Sequence, residues 1–329
     1  SARALAEVPL GGRGSWLISA RRSYTDVLQS GLYNDIFGTL SGTENDDGTI
    51  RTGSFGSGSP IAQAETPSFY FYDLNSKATY TPTDRDVLSL SLYGGRDKLD
   101  ESLLGQTGPG GQAPDTLDFT DLTEWGNRGT SARWSRLWSS RFTSDVLASY
   151  STYFSDNRTG ADAGFFARSF AEENEVRDFT VRVDNVLRLG PDREIGFGVQ
   201  HTDHRVTYDR VEQQGDSIVG ALDLSGTGAL TSAYLQSDRT HFGRLRLTTG
   251  VRLSHYEPTA EIYVEPRLSA RLPVTDRVTA KAAWGRFRQF VKRVENEDIL
   301  EGSRDFWVLA GEDLRPAAAT HLIAGISYE

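Results

Sequence analysis

Cysteine and methionine are both absent from the 329 residues. Without cysteine there are no disulfides, thiolate metal sites or thiol nucleophiles, and the redox compartment stays open. The lack of methionine and a start at Ser1 are what a processed chain, or a portion of a longer one, would show. Lysine is scarce: only Lys77, Lys98, Lys281 and Lys292 join an otherwise Arg-based set of cations. The formal net charge of −10 argues against a general nucleic-acid binder. No apolar run approaches the ~20 residues of a helical membrane span. A transmembrane barrel is not thereby excluded, because its strands need only ~10 residues of alternating polarity.

Catalytic and metal-binding signatures are missing as well. There is no zinc-protease histidine pair, nucleophile elbow or triad spacing, so the chain is expected to be no enzyme and to carry no cofactor. The five histidines are scattered, and His201 and His204, three apart, would sit on opposite faces of a strand. "ENDDGT" (44–49) lacks the alternating ligands and distal glutamate of a calcium loop. The glycine-rich "RTGSFGSGSP" (51–60) and "GQTGPGGQAP" (105–114) lead into no amphipathic helix and suit external loops better than a phosphate cradle.

What the chain has in quantity is alternation. In "SFYFYDLNSKATYTPTDRDVLSLSLYGGRDK" (68–98), Tyr70, Tyr72, Leu74, Ala78 and Tyr80 fall on one face, and Asp73, Asn75, Lys77 and Thr79 on the other. After a turn at 82–85, Leu88, Leu90 and Leu92 oppose Ser89, Ser91 and Asp97. The pattern returns around Trp16–Arg21, Asp145–Phe154, Phe179–Arg188, Arg244–Leu253 and Val278–Trp284. It predicts about thirteen strands, beginning near residues 2, 14, 69, 86, 124, 143, 176, 193, 228, 243, 262, 276 and 317. Imperfect alternation at 125–139 and 200–208 suggests bulges.

The connections between strands alternate too, short then long. Tight links fall at 11–14, 82–85, 139–144, 190–194, 240–244 and 273–276, and long ones at 24–67, 98–122, 157–174, 209–227 and 290–316, with a moderate one at 256–261. One edge of the sheet therefore carries turns and the other carries loops, as in outer-membrane barrels. Lipid would then meet the apolar face, and backbone groups would be satisfied between strands. Trp16, Tyr24, Trp125, Trp134, Trp138, Tyr153, Tyr208, Tyr256 and Trp284 fall toward strand ends, where an interfacial girdle would lie.

Four stretches, "SWLISARRSYTD" (15–26), "FYDLNSKATYTPTDRDVLSLSLYGGRD" (71–97), "EPRLSARLPVTDRVTAKAAWGRFRQF" (265–290) and "LRPAAATHLIAGISYE" (314–329), resemble in type and order the barrel of TonB-dependent outer-membrane receptors. The resemblance implies an all-β, antiparallel transmembrane barrel. This chain would be a segment of about thirteen strands from a 22-strand barrel, a single unit over 1–329 without plug or C-terminal strands. It further implies energy-coupled uptake in the outer membrane of a Gram-negative-type bacterium. The implied partners are outer-membrane lipid, the protein's own plug domain, a TonB-type energy-transducing complex reached through the N-terminal region, a substrate captured by the long loops, and a surface lipoprotein. The alternative is a non-transporting barrel with a structural or surface-interaction role. If the register holds, Arg21, Asp73, Lys77, Arg182, Asp184, Arg244, Arg246, Arg252, Arg267 and Lys281 point into the lumen, mostly as ion pairs hydrating a wide interior.

Overall fold

The computed structural model describes residues 1–25, 68–107, 115–163, 166–296 and 304–328. Nearly all of them are strand: β1 (Ala2–Pro9), β2 (Gly14–Arg22), β3 (Ser68–Thr83), β4 (Asp86–Asp100), β5 (Leu103–Thr107), β6 (Asp115–Ser139), β7 (Phe142–Asp162) and β8 (Ala167–Gly190). The second half supplies β9 (Arg193–Gln214), β10 (Ser217–His241), β11 (Leu245–Tyr256), β12 (Glu261–Pro273), β13 (Val278–Gln289), β14 (Val291–Asn296), β15 (Arg304–Leu309) and β16 (Ala317–Tyr328). Fourteen strands form one sheet; β5 hangs on β6, and the other thirteen pair in chain order from β1 to β16. Every ladder is antiparallel, so each strand folds back on its predecessor and the meander needs no crossover. Among the described residues no ladder joins β1 to β16.

Cross-strand partners share a face, so the register sorts the whole sheet. Trp16, Ala78, Leu90, Ala132, Ala148 and Val181 lie along one row, and Tyr80, Leu88, Trp134, Val146, Val183, Val199 and Ala233 along the next. Among the described residues no protein layer covers them: Leu90 is 49% exposed and Val199 54%. Leu88, Leu92 and Val181 are exposed too, and Val183 is half-buried. The opposite face carries serines, threonines and charges. The hairpin of β3 and β4 thus has the apolar and polar sides that its alternation predicts.

The thirteen strands of the meander and their order follow the sequence, but β5, β14 and β15 come in addition to them, and strand length differs. The expected long loops at 157–174 and 209–227 are mostly strand. β7 and β8 pair out to Asp162–Ala167, and β9 turns into β10 through Gly215 and Asp216 alone, with Gly215 at φ +57°. β6 likewise starts at Asp115 rather than near 124, and β5 runs through part of the glycine-rich 105–114 stretch. The 25 residues of β10 span roughly 80 Å, far more than an apolar band requires.

The imperfect alternation at 200–208 is not a bulge, since β9 keeps unbroken register there with β8 and β10. Instead the hydrophobic phase inverts. Up to Val199 the apolar residues lie on the open face; beyond it that face carries His201, Asp203 and Arg205, while Val206 and Tyr208 are buried on the other side. At 125–139 the register slips only at Leu137/Ser139. The segments 44–49 and 51–60 lie outside the described residues.

Candidate functional site

The polar face is built by side chains at every second position of β2 to β16. It holds nine of the ten residues proposed for a lumen. Arg21 meets Asp73 at 2.7 Å and stacks 4.7 Å from the Phe71 centroid. Lys77 stands opposite Leu17 and Ser91, exposed. Arg182 pairs with Asp184 at 2.7 Å, and the Tyr234 hydroxyl donates to the same carboxylate at 2.8 Å. Arg252 donates to Gln200 at 3.2 Å and lies 4.0 Å from Glu265. Arg267 rests its guanidinium 4.9 Å from the Phe287 centroid. Arg246 contacts Asp238 at 3.5 Å. Lys281 is opposite Arg271. Arg244 departs from expectation: it falls in the turn before β11, so its side chain belongs to no strand face.

Two groupings emerge that residue-by-residue alternation had not linked. Arg182, Tyr234, Arg252 and Arg267 line one groove of about 300 Å³. Arg246, Arg271 and Lys281 are consecutive neighbours across β11, β12 and β13, a basic row nearer the tight-turn edge. Arg271 shares its parity with Arg267, and that spacing of four could have revealed it.

The aromatics also divide. Trp16, Trp134 and Trp284 belong to the apolar face, whereas the register puts Trp125, Tyr153, Tyr208 and Tyr256 on the polar one. The expected girdle is therefore narrower, because strand parity rather than nearness to a strand end decides which side an aromatic serves. Trp138 lies beside a tight turn, donating to Ser144 at 3.0 Å, and Tyr24 lies past the end of β2.

Sequence reasoning missed what those polar-face aromatics do. The segment between β13 and β16, expected to be a plain loop, contains the β14–β15 hairpin, whose second strand lies back against β8, β9 and β10. Phe306 stacks on Tyr208 with centroids 4.1 Å apart, and Trp307 meets Tyr153 edge-on at 6.5 Å. Asn174 donates to the Trp307 carbonyl at 3.1 Å and accepts from its N–H at 2.7 Å, acting as one rung of a strand edge. Behind the hairpin, Tyr256, Tyr263, Phe290 and Ala310 form the buried apolar cluster, sealed by a Tyr256 hydroxyl bond to the Ala310 carbonyl at 2.8 Å. His204 joins Asp178 at 2.5 Å on this face, while His201 meets Thr231 at 2.8 Å on the other, so the two never converge.

No family model matches the chain, and no curated protein does. Solved structures resemble it in fold. It overlays a mutant ferric enterobactin receptor of Pseudomonas aeruginosa with a TM-score of 0.63 at 15% identity, covering 99% of this chain and 48% of that one. A siderophore receptor from Acinetobacter baumannii gives 0.59 at 11%, covering 99% and 47%. The RagAB peptide transporter gives 0.55 at 9%, covering 96% and 41%. The chain thus spans about half the length of the receptors it matches. What these likenesses establish is the fold: an antiparallel sheet of the kind found in receptor barrels.

Proposed function

We propose that this chain is the strand-rich part of an outer-membrane receptor that imports a solute by energy-coupled transport. One observation carries the reading: a continuous antiparallel meander whose apolar face is bare and whose opposite face is a network of ion pairs. In water, bare apolar surface of this extent would drive aggregation. Hydrocarbon removes that penalty, and across the apolar band the described ladders pair each strand of the meander between β1 and β16 on both sides, leaving those two as the outer strands. We infer that β1 and β16 meet further strands of a larger closed barrel, since the matched receptors are about twice as long.

In this reading the ion-paired face lines the interior and contacts a plug. A TonB-type complex remodels that plug to open the path. The loop-side edge, with the β14–β15 hairpin folded inward, meets the solute first. The matched receptors make ferric chelates and peptides the first probes to try.

The test is uptake by cells producing the intact protein, with and without an uncoupler that collapses the proton-motive force. Accumulation above a deletion strain that disappears on uncoupling supports import. Surface binding that is indifferent to the uncoupler and never leads to accumulation would sink it in favour of a non-transporting barrel.

A further inference from the structure

Along one row the apolar face gives way to charge. Leu74, Gly94, Arg128, Thr152, Arg177 and Arg205 are successive neighbours from β3 to β9. From β3 to β8 the row on the tight-turn side of it holds Ser76, Leu92, Thr130, Tyr150 and Phe179, with Asp203 next to them on β9, and the row on the loop side holds Tyr72, Arg96, Gly126, Phe154 and Glu175. The cations thus begin where the greasy band ends. Arg177 and Arg205 stand directly opposite each other, an arrangement of like charges that destabilises a sheet unless an anion joins them. Arg96 pairs with Glu124 and Arg177 with Glu175, while Arg128 and Arg205 have no acidic partner among the described residues.

Beside Arg128 the surface opens into a groove of about 390 Å³. Leu74 and Leu92 line it, Tyr72 and Tyr150 wall it, and Arg96 and Arg128 stand at its loop-side end. Gly94 leaves the floor open, since a Cβ there would meet nothing within 4 Å. Both guanidiniums stand over the Phe154 ring, that of Arg96 at 5.9 Å and that of Arg128 at 5.6 Å from its centroid, a contact that steadies each cation.

An apolar trough capped by guanidiniums has the polarity of an acyl chain that ends in a phosphate. A free anion would leave the trough unused, and an uncharged lipid would leave the cations unused. We propose that this groove binds a phosphate-bearing lipid of the surrounding leaflet, with Arg128 as the principal donor to the phosphate, Arg96 beside it, and an acyl chain lying over Gly94. Guanidinium suits this task because its planar fork binds phosphate oxygens in pairs. The inference rests on the reading of the apolar face as lipid-facing.

The experiment uses the intact protein in a neutral detergent and counts retained lipid by native mass spectrometry. Phosphatidic acid and diacylglycerol with identical chains are compared, with inorganic phosphate as competitor. Phosphatidic acid is expected to be retained selectively and to resist inorganic phosphate. Arg128→Gln should weaken retention about tenfold, the loss of one charge-assisted contact. Gly94→Phe should weaken it comparably by filling the trough, with the thermal midpoint unchanged. Equal retention of diacylglycerol, displacement by inorganic phosphate, or indifference to both substitutions would each overturn the site. Leu90→Trp in vesicles with brominated acyl chains separates the two layers of the argument. If its fluorescence is quenched while phosphatidic acid shows no preference, the site alone fails. If it is not quenched, the lipid-facing reading fails and takes the site with it.

Discussion

At the scale of single residues, the polar face carries its most informative contact at Asn174. Its side chain satisfies both the N–H and the C=O of Trp307, and it is itself only 5% exposed. An apolar replacement of similar size strands two buried backbone groups, each costing about 1–3 kcal/mol. Asn174→Leu is therefore expected to speed amide exchange at Trp307 about tenfold or more, with exchange in the ladders of β3 and β4 unchanged. Unaltered exchange at Trp307 would show that the stacked aromatics hold the hairpin without Asn174. A second tie lies at the loop end, where Arg315 donates to Glu261. Neither tie was legible in the sequence, since Asn174 and Trp307 lie 133 positions apart and nothing local marks them as partners.

At the scale of elements, alternation revealed which face each strand residue serves but not where a strand stops. The period of two continues past the apolar band, yet its hydrophobic phase reverses, as at Val199 to Val206, because the open side becomes polar and the inner side becomes covered. A one-residue phase change looks the same in sequence whether it comes from a bulge or from a change of surroundings. The β14–β15 hairpin was hidden for a related reason: six-residue strands without their own turn signal resemble loop. Its position can be tested covalently, and the natural absence of cysteine makes that test clean. A Cβ built on Gly226 lies 3.6 Å from the Leu309 Cβ, inside the range a disulfide needs. The double variant Gly226→Cys, Leu309→Cys should oxidise to a single intramolecular bond. If cargo passes under the hairpin, uptake should fall on oxidation and return with reductant. Failure of the bond to form would mean that the hairpin does not rest on β10.

At the scale of the whole molecule, the question is what solvates the apolar face, and substitution can answer it with opposite signs. Leu90 is 49% exposed and is flanked across the sheet by Ala78 and Ala132. On a water-facing sheet, Leu90→Arg would change stability by no more than about 0.5 kcal/mol, as exposed substitutions usually do. On a lipid-facing one the same arginine must enter hydrocarbon or drag water to it, a cost of about 2–4 kcal/mol near the midplane. Ser131→Arg supplies the control, because Ser131 lies on the other face with Ser91 and Ser149 as its neighbours. There the new charge meets a polar interior in either case, and the effect should stay small. Denaturant unfolding of the intact protein in vesicles should therefore show a large loss for Leu90→Arg and a small one for Ser131→Arg. Equal, small losses would place Leu90 in water and remove the physical basis for a membrane barrel, whatever the likeness in fold.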